Sequence, residues 1–189
     1  MRNTLEVMGM LKDDFEKVLI SEQQLHERCA VLGRQLTNDY AGRENKVLFV
    51  ALLKGSVPFM AELIKHIDLK IHIDFMAVSS YNGTESVGDI KIIKDLDASV
   101  VGMDLVIVED IVDTGKTIQE VKRMMYNKGA HEVKVVTLLD KPSRRIVDEK
   151  ADYVGFEIPN EFVVGFGLDY KQDYRNLPYV GVLKKELYK

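Results

Sequence analysis

The sequence predicts an α/β fold, a mostly parallel twisted sheet flanked by helices and carrying a small cap. Three features carry that reading. Short unbroken apolar runs such as Val47–Leu53 mark strands buried on both faces. Helical apolar stripes alternate with these runs at the spacing of strand–helix crossovers. Beyond Leu139 the texture breaks into brief β-like pieces separated by Gly, Pro, Asn and Asp.

The elements follow in order. A short β-like segment precedes a helix opened by Ser21. Ser21-Glu22-Gln23-Gln24 is a capping box, in which the hydroxyl and the Gln24 side chain satisfy each other's orphan amides. Leu25, Cys29, Leu32 and Leu36 then form one apolar stripe, and Gly42 is expected to mark the helix end. Cys29 lies on that stripe and reads as a small buried hydrophobe. After strand 47–53, Gly55-Ser56-Val57-Pro58 turns into a helix bearing Phe59, Met60, Leu63 and Ile64. Ser56 suits its N-cap, and Pro58 is tolerated in its first turn. Ile71–Val78 is the next strand. Ser79 to Val100 is a polar stretch too long for a routine connection, the signature of a lid or hairpin. Leu105–Val108 is a strand followed at once by a helix carrying Ile118, Val121, Met124 and Met125, closed by Gly129. Val133–Leu139 is a further strand. The cap holds the β-like pieces Tyr153–Glu157, Phe162–Val164 and Tyr179–Leu183.

Composition narrows the function classes. The chain has 189 residues, 26 Lys+Arg against 30 Asp+Glu and a net charge of −4, which suits one globular domain and disfavours nucleic-acid binding. The single cysteine excludes an intrachain disulfide and a cysteine metal cluster, so a reducing cytoplasm is expected. No apolar run approaches the ~20 residues of a membrane span, and Met1–Gly9 contains no apolar signal core. Neither a membrane nor a nucleic acid is expected as a partner.

Chemistry concentrates in Leu105-Val106-Ile107-Val108-Glu109-Asp110-Ile111-Val112-Asp113-Thr114-Gly115-Lys116-Thr117. A buried strand ends on two adjacent carboxylates, with a third three residues on. Crowded negative charge is costly unless cations or polar ligands compensate it, and sugar hydroxyls with a Mg2+ shell would suit. Thr114-Gly115-Lys116-Thr117 offers backbone amides and hydroxyls at a helix N-terminus, a phosphate cradle. Acids for a ribose beside a phosphate nest describe a sugar phosphate. An N-cap aspartate in a tight turn would leave Glu109 and Asp110 unexplained.

Near matches fail on particular residues. Gly115-Lys116-Thr117 ends like a nucleotide-binding P-loop, but Asp110 stands where that loop needs glycine. Gly165-Phe166-Gly167 begins like a dinucleotide fingerprint, yet Tyr170 replaces its last glycine. His26, His66, His72 and His131 show no metal-ligand spacing.

The acidic strand followed by Asp-Thr-Gly-Lys-Thr resembles the phosphoribosyl pyrophosphate motif of type I phosphoribosyltransferases. Leu53-Lys54-Gly55-Ser56 resembles the family's pyrophosphate loop, and Ser79-Ser80-Tyr81 the start of its mobile lid. Lys141 after Leu138-Leu139-Asp140 resembles its purine-contacting lysine. Phe156-Glu157-Ile158-Pro159 and Phe162 through Tyr170, ending at Arg175, resemble its purine-binding hood. These five segments run in the order and spacing of the hypoxanthine(-guanine) branch, from about Leu48 to Val182. The resemblance implies one domain over residues 1–189, with a core sheet at about 45–140 and a hood built from 141–189 and N-terminal residues. It implies a cytoplasmic enzyme of purine salvage, a homodimer or homotetramer. Its expected reaction is Mg2+-dependent transfer of the phosphoribosyl group from phosphoribosyl pyrophosphate to a 6-oxopurine, giving IMP (or GMP) and pyrophosphate.

The same resemblance distributes roles. Glu109 and Asp110 would hold the ribose hydroxyls, partly through Mg2+ and its waters, and Asp169 would ligate Mg2+ at the pyrophosphate. Asp113 would act as general base at purine N7. Thr114, Gly115, Lys116 and Thr117 would hold the 5′-phosphate. Lys54 and Gly55 would bind pyrophosphate through backbone amides, in a loop whose Leu53–Lys54 peptide can be cis in this family. Arg175 would balance the leaving charge. Lys141 would donate to the purine O6, Phe162 would stack on the base and Val163 would read it through backbone groups. Ser80 and Tyr81 would close over the reaction centre.

Two other classes compete. Some proteins with this fold sense phosphoribosyl pyrophosphate and regulate nucleic acid, but this chain shows no helix-turn-helix or basic face and has the base-reading residues Lys141, Phe162 and Asp169. An ATP-dependent phosphoryl-transfer enzyme fails on the P-loop comparison.

Overall fold

The structure, a computed structural model, describes residues 13–80 and 90–189. Strand β1 (Phe15–Ile20) leads into helix α1 (Glu22–Tyr40), then β2 (Val47–Leu52), α2 (Val57–Leu63), β3 (Ile71–Ser80) and β4 (Ile90–Lys94). There follow β5 (Asp104–Val112), α3 (Lys116–Asn127), β6 (Glu132–Asp140), β7 (Tyr153–Glu157), β8 (Val163–Val164), β9 (Val180–Leu183) and α4 (Lys185–Tyr188). Six strands form one sheet in the order β4-β3-β2-β5-β6-β7, and β1-β9-β8 form a second. Strands β3, β2, β5, β6 and β7 are mutually parallel, and β4 runs antiparallel beside β3.

The capping box forms as the sequence predicts. Gln24 N donates to Ser21 Oγ at 3.3 Å, and Ser21 N donates to Gln24 Oε1 at 2.9 Å. Helix α1 buries Leu25, Cys29, Leu32 and Leu36. Burial pushes the Cys29 thiol up to about 12, with the Glu62 charge adding to the effect, so the group is inert packing. Gly42 adopts φ +75° two residues past the helix.

Alternation across the parallel strands builds two cores. Phe49, Ala51, Val106, Val108, Val136 and Leu138 face α1 and α2. Leu48, Val50, Leu52, Leu105, Ile107, Val133 and Val135 face α3, where Ile118, Val121 and Met125 meet them. Val163, Val180 and Val182 join the first core, so the small sheet packs beside α1 rather than standing apart.

Three expectations shift. Strand β5 runs on to Val112, so Glu109 and Asp110 lie within a strand, Glu109 in register with Thr137 of β6. Pairing of β5 with β2 stops at Ala51–Val108, and the acids therefore overhang the end of β2. Residues 153–157, expected in the cap, form β7 and extend the main sheet beside β6. Ser56 occupies the N-cap position of α2 without capping it; its hydroxyl donates back to Leu52 O at 2.5 Å. The polar stretch from Ser79 to Val100 begins on β3 and contains β4, which pairs antiparallel with β3 and puts Ser80 opposite Ile90, in keeping with the hairpin reading. Tyr81, the expected lid residue, lies outside the described residues.

Candidate active site

The carboxyl ends of β2 and β5, the start of α3 and the 165–175 segment converge on one cleft of about 290 Å3. Lys54, Gly55, Glu109, Asp110, Asp169 and Arg175 all line it. Ligands of open α/β sheets bind at this end of the strands. A smaller hollow of about 80 Å3 adjoins it, lined by Asp113, Thr114, Gly115 and Thr117 and sharing Glu109 and Thr117 with the larger one.

Glycines set the spacing of the walls. A Cβ on Gly55 would fall on the Asp110 carboxylate, and a Cβ on Gly167 would fall on the Gly55 carbonyl. Gly167 also has φ +102°, a region that favours glycine. The Gly167 and Gly55 backbones thus touch directly, and the Asp110 carboxylate lies against Gly55. The Leu53–Lys54 peptide is cis.

The phosphate-cradle turn is likewise built on a glycine. Gly115 caps α3 with φ +86°, and a Cβ there would press on Arg145 Cδ and Val147 Cγ2 at 2.9 Å. The segment after β6 props this turn from behind. Ile146 N donates to Thr114 O at 3.1 Å and Arg145 Nη1 to Asp113 O at 2.7 Å. Arg145 is held in turn by an ion pair with Asp140. The Asp113 carboxylate, 39% exposed, accepts from Arg144 Nε at 3.0 Å.

Electrostatics divide the site. Burial pushes Glu109 well above the usual carboxylate range, and the neighbouring Asp110 charge adds to it. Asp110 is pushed up to about 6, chiefly by burial, with the Asp169 charge adding to the effect while the Ile111 amide and Arg175 oppose it. On the opposite wall Asp169 pairs with Arg175 Nη2 at 2.7 Å, and Arg175 Nη1 donates to Gly167 O at 2.7 Å. Two under-compensated acids thus face an acid–arginine pair across a cleft that can accommodate a hydroxyl-rich, polyanionic ligand with a hard divalent cation.

Lys141 reaches the segment that carries the other two expected base-reading residues, Phe162 and Val163. Lys141 is buried and donates through Nζ to Glu161 O at 2.8 Å, and that burial lowers its pKa. Val163 is buried, and Phe162 O accepts from Leu183 N at 3.0 Å. The Phe162 ring stacks on Tyr188 at 4.5 Å and meets Tyr170 edge-on at 5.7 Å. Its aromatic character is thus partly used within the protein, a packing role the sequence also allowed.

Sequence reasoning overlooked Arg144, Arg145 and Gln172. The basic pair lies three and four residues beyond Lys141, and Gln172 lies between Asp169 and Arg175. Gln172 lies inside the segment read as the hood, but Arg144 and Arg145 fall between the segments, where no local signal marks them.

The phosphoribosyl transferase domain model matches residues 21–171. The hypoxanthine-guanine phosphoribosyltransferase of Streptococcus agalactiae is 56% identical over 180 residues, covering 95% of this chain and 99% of that protein. The crystal structure of a hypoxanthine phosphoribosyltransferase from Staphylococcus aureus superposes with a TM-score of 0.91 at 48% identity, covering 96% of this chain and 98% of that one. A Trypanosoma cruzi hypoxanthine phosphoribosyl transferase, studied for its oligomeric state and C-terminal region, gives 0.88 at 34% identity, covering 93% and 95%.

Proposed function

The chain belongs to the phosphoribosyltransferase family, and from that premise we propose that it works in purine salvage as a hypoxanthine-guanine phosphoribosyltransferase. It transfers the phosphoribosyl group of phosphoribosyl pyrophosphate to hypoxanthine or guanine and releases pyrophosphate. The observation that carries this reading is the convergence of Lys54, Gly55, Glu109, Asp110, Asp169 and Arg175 on one cleft beside the Thr114–Thr117 turn.

Breaking the anomeric C–O bond develops oxocarbenium-like charge, so positioning and neutralisation of the leaving group carry most of the barrier. The Thr114–Thr117 turn binds the 5′-phosphate with amides at the positive end of α3. Glu109 and Asp110 take the ribose hydroxyls. Their raised pKa values follow from burial with little compensating charge, and a ligand that brings donors and a cation restores the ionised forms. Glu109, Asp110 and Asp169 do not form a ready-made metal cluster, but each offers the oxygen ligand that Mg2+ prefers, and an ion that keeps several waters would be held partly through those waters. When bound, Mg2+ supplies charge neutralisation to the pyrophosphate. Lys54 and Arg175 add positive charge on the same side.

Asp113 accepts the proton from purine N7, and Arg144 holds its carboxylate until the base arrives. Arg145 fixes the Asp113 main chain, so the carboxylate works from a braced backbone. Lys141 donates to the purine O6, Phe162 stacks on the ring and Val163 reads it through main-chain groups. Ser80, at the end of β3, and Tyr81 close over the centre. The protein acts as one domain in which the small sheet, β1 included, forms the hood.

No described helix is long and apolar enough to cross a membrane. A cytoplasmic location and a homodimer or homotetramer accompany this reading.

Pyrophosphate release tests the proposal against its nearest rival. An enzyme liberates pyrophosphate when phosphoribosyl pyrophosphate, Mg2+ and hypoxanthine are mixed with it. A ligand sensor of the same fold binds phosphoribosyl pyrophosphate without releasing it.

A further inference from the structure

Residues 170–173 form a turn whose backbone does not suit its side chains. Asp173 N donates to Tyr170 O at 3.0 Å and Tyr170 N to Asp173 O at 3.3 Å, closing a two-residue loop. The residues between them, Lys171 and Gln172, have φ +52° and +75°. Left-handed φ at both central positions is the hallmark of the type I′ turn, which selects Asn-Gly or Asp-Gly. Neither lysine nor glutamine relieves the crowding of Cβ in that region. Such strain persists only where the surrounding structure imposes it, and it concentrates at functional sites.

The turn delivers Gln172 to a junction. Its main-chain N donates to Asp169 Oδ2 at 2.8 Å. Its side-chain Oε1 accepts from Lys54 Nζ at 3.2 Å and from Arg175 Nη2 at 3.3 Å. Its Nε2 also lies 3.4 Å from Asp169 Oδ2. One neutral oxygen therefore ties a lysine beyond β2 to an arginine of the 165–175 segment, both of which line the cleft. Two cations drawn together repel, and a shared acceptor offsets that repulsion. A carboxylate would accept equally well but would cancel the positive charge. Without the acceptor, the exposed Lys54 side chain would spread over its rotamers and would have to be ordered again each time an anion bound.

We infer that Gln172 is a positioning residue for the pyrophosphate leaving group, gathering Lys54 and Arg175 before the ligand arrives. This inference rests on the cleft being a phosphoribosyl pyrophosphate site. It accounts for the strained turn: the backbone conformation is the one that brings the Gln172 amide to Asp169 and its side chain to both cations.

Two glycine variants of the full chain separate positioning from folding. Q172G relieves one left-handed residue and removes the acceptor, whereas K171G relieves the other and keeps the acceptor. Glycine tolerates both φ values, so the melting temperatures of both are expected to equal or exceed that of the wild type. Calorimetric titration with inorganic pyrophosphate and Mg2+ is expected to show Q172G binding about three- to tenfold more weakly, the scale of an exposed charge-assisted hydrogen bond. K171G is expected to bind as the wild type does. In steady state, Q172G should raise KM for phosphoribosyl pyrophosphate and leave KM for hypoxanthine unchanged. Equal pyrophosphate affinity in Q172G and wild type, or an equal loss in K171G, overturns the inference. A wild type that forms no nucleotide overturns the reading of the cleft beneath it; an active wild type with unaltered Q172G binding overturns this inference alone.

Discussion

Gly55 and Asp110 approach so closely that one added methyl group on the glycine would fall on the aspartate carboxylate. The contact joins the loop after β2 to the acidic end of β5, and Gly167 backs it from the third wall. The cleft therefore owes its width to the absence of side chains at two positions.

Gly55→Ala is expected to fold and to lose activity. Overpacking of this kind costs about 1–3 kcal/mol, less than the stability of a typical domain. Displacing a binding carboxylate by about 1 Å can lower turnover by about 10²-fold. Thermal melting together with kcat/KM for phosphoribosyl pyrophosphate checks both halves. Wild-type kinetics in a folded Gly55→Ala protein would show that the Asp110 position is not needed.

Asp113→Asn keeps the shape of the side chain and removes its basicity. Turnover should fall by about 10²–10⁴-fold, the usual worth of general-base help. Affinity for phosphoribosyl pyrophosphate should change much less, because the amides of the Thr114–Thr117 turn remain. Single-turnover rates with a parallel binding titration decide the matter, and near-normal turnover would remove Asp113 from its role.

Legibility in the sequence followed the physics of each element. Strand β2 reads directly because both faces are buried and every residue is apolar, and α1 because its capping box and stripe are local signals. The site was legible where one continuous segment carries it, as from Glu109 to Thr117. Strand β4 was hidden because Ile90-Lys-Ile-Ile-Lys sits at a sheet edge and is largely exposed. The tail of β5 was hidden because acids are poor strand formers, and only pairing with β6 holds Glu109 to Val112 extended. Arg145 and Gln172 act through tertiary contacts with Asp113 and with Lys54, which no spacing along the chain reveals.

Asp104 anchors the opposite end of the sheet and yields a prediction about stability alone. Its buried carboxylate accepts from Arg43 Nη1 at 3.1 Å and Asn45 Nδ2 at 3.1 Å, and lies 2.7 Å from His131 Nδ1. Burial by itself would raise its pKa, but the hydrogen bonds from His131, Asn45 and Arg43 together outweigh burial and hold it below the usual value. A carboxylate with a depressed folded-state pKa contributes stability that is present above its unfolded pKa and lost as pH falls through the folded one. Asp104→Asn weakens these charge-assisted hydrogen bonds while Arg43 keeps Glu132 as a partner, so it should cost about 1–3 kcal/mol near neutrality. The difference from wild type should shrink below about pH 4, near the ordinary aspartate pKa. Urea melts of both proteins across that range give the answer, and a pH-independent difference would mean that the charge contributes nothing. Catalytic constants should not change.

Nucleotide formation from phosphoribosyl pyrophosphate and Mg2+, with hypoxanthine and adenine compared side by side, tests the central claim most directly. Lys141 Nζ is a donor in a buried setting, so it matches the O6 of a 6-oxopurine and not the amino group of adenine. A site built around such a hydrogen bond can discriminate by roughly 10⁴ in kcat/KM. The account predicts IMP and pyrophosphate in equal amounts from hypoxanthine, and turnover of adenine lower by orders of magnitude. No nucleotide from hypoxanthine, or comparable kcat/KM for the two bases, would contradict it.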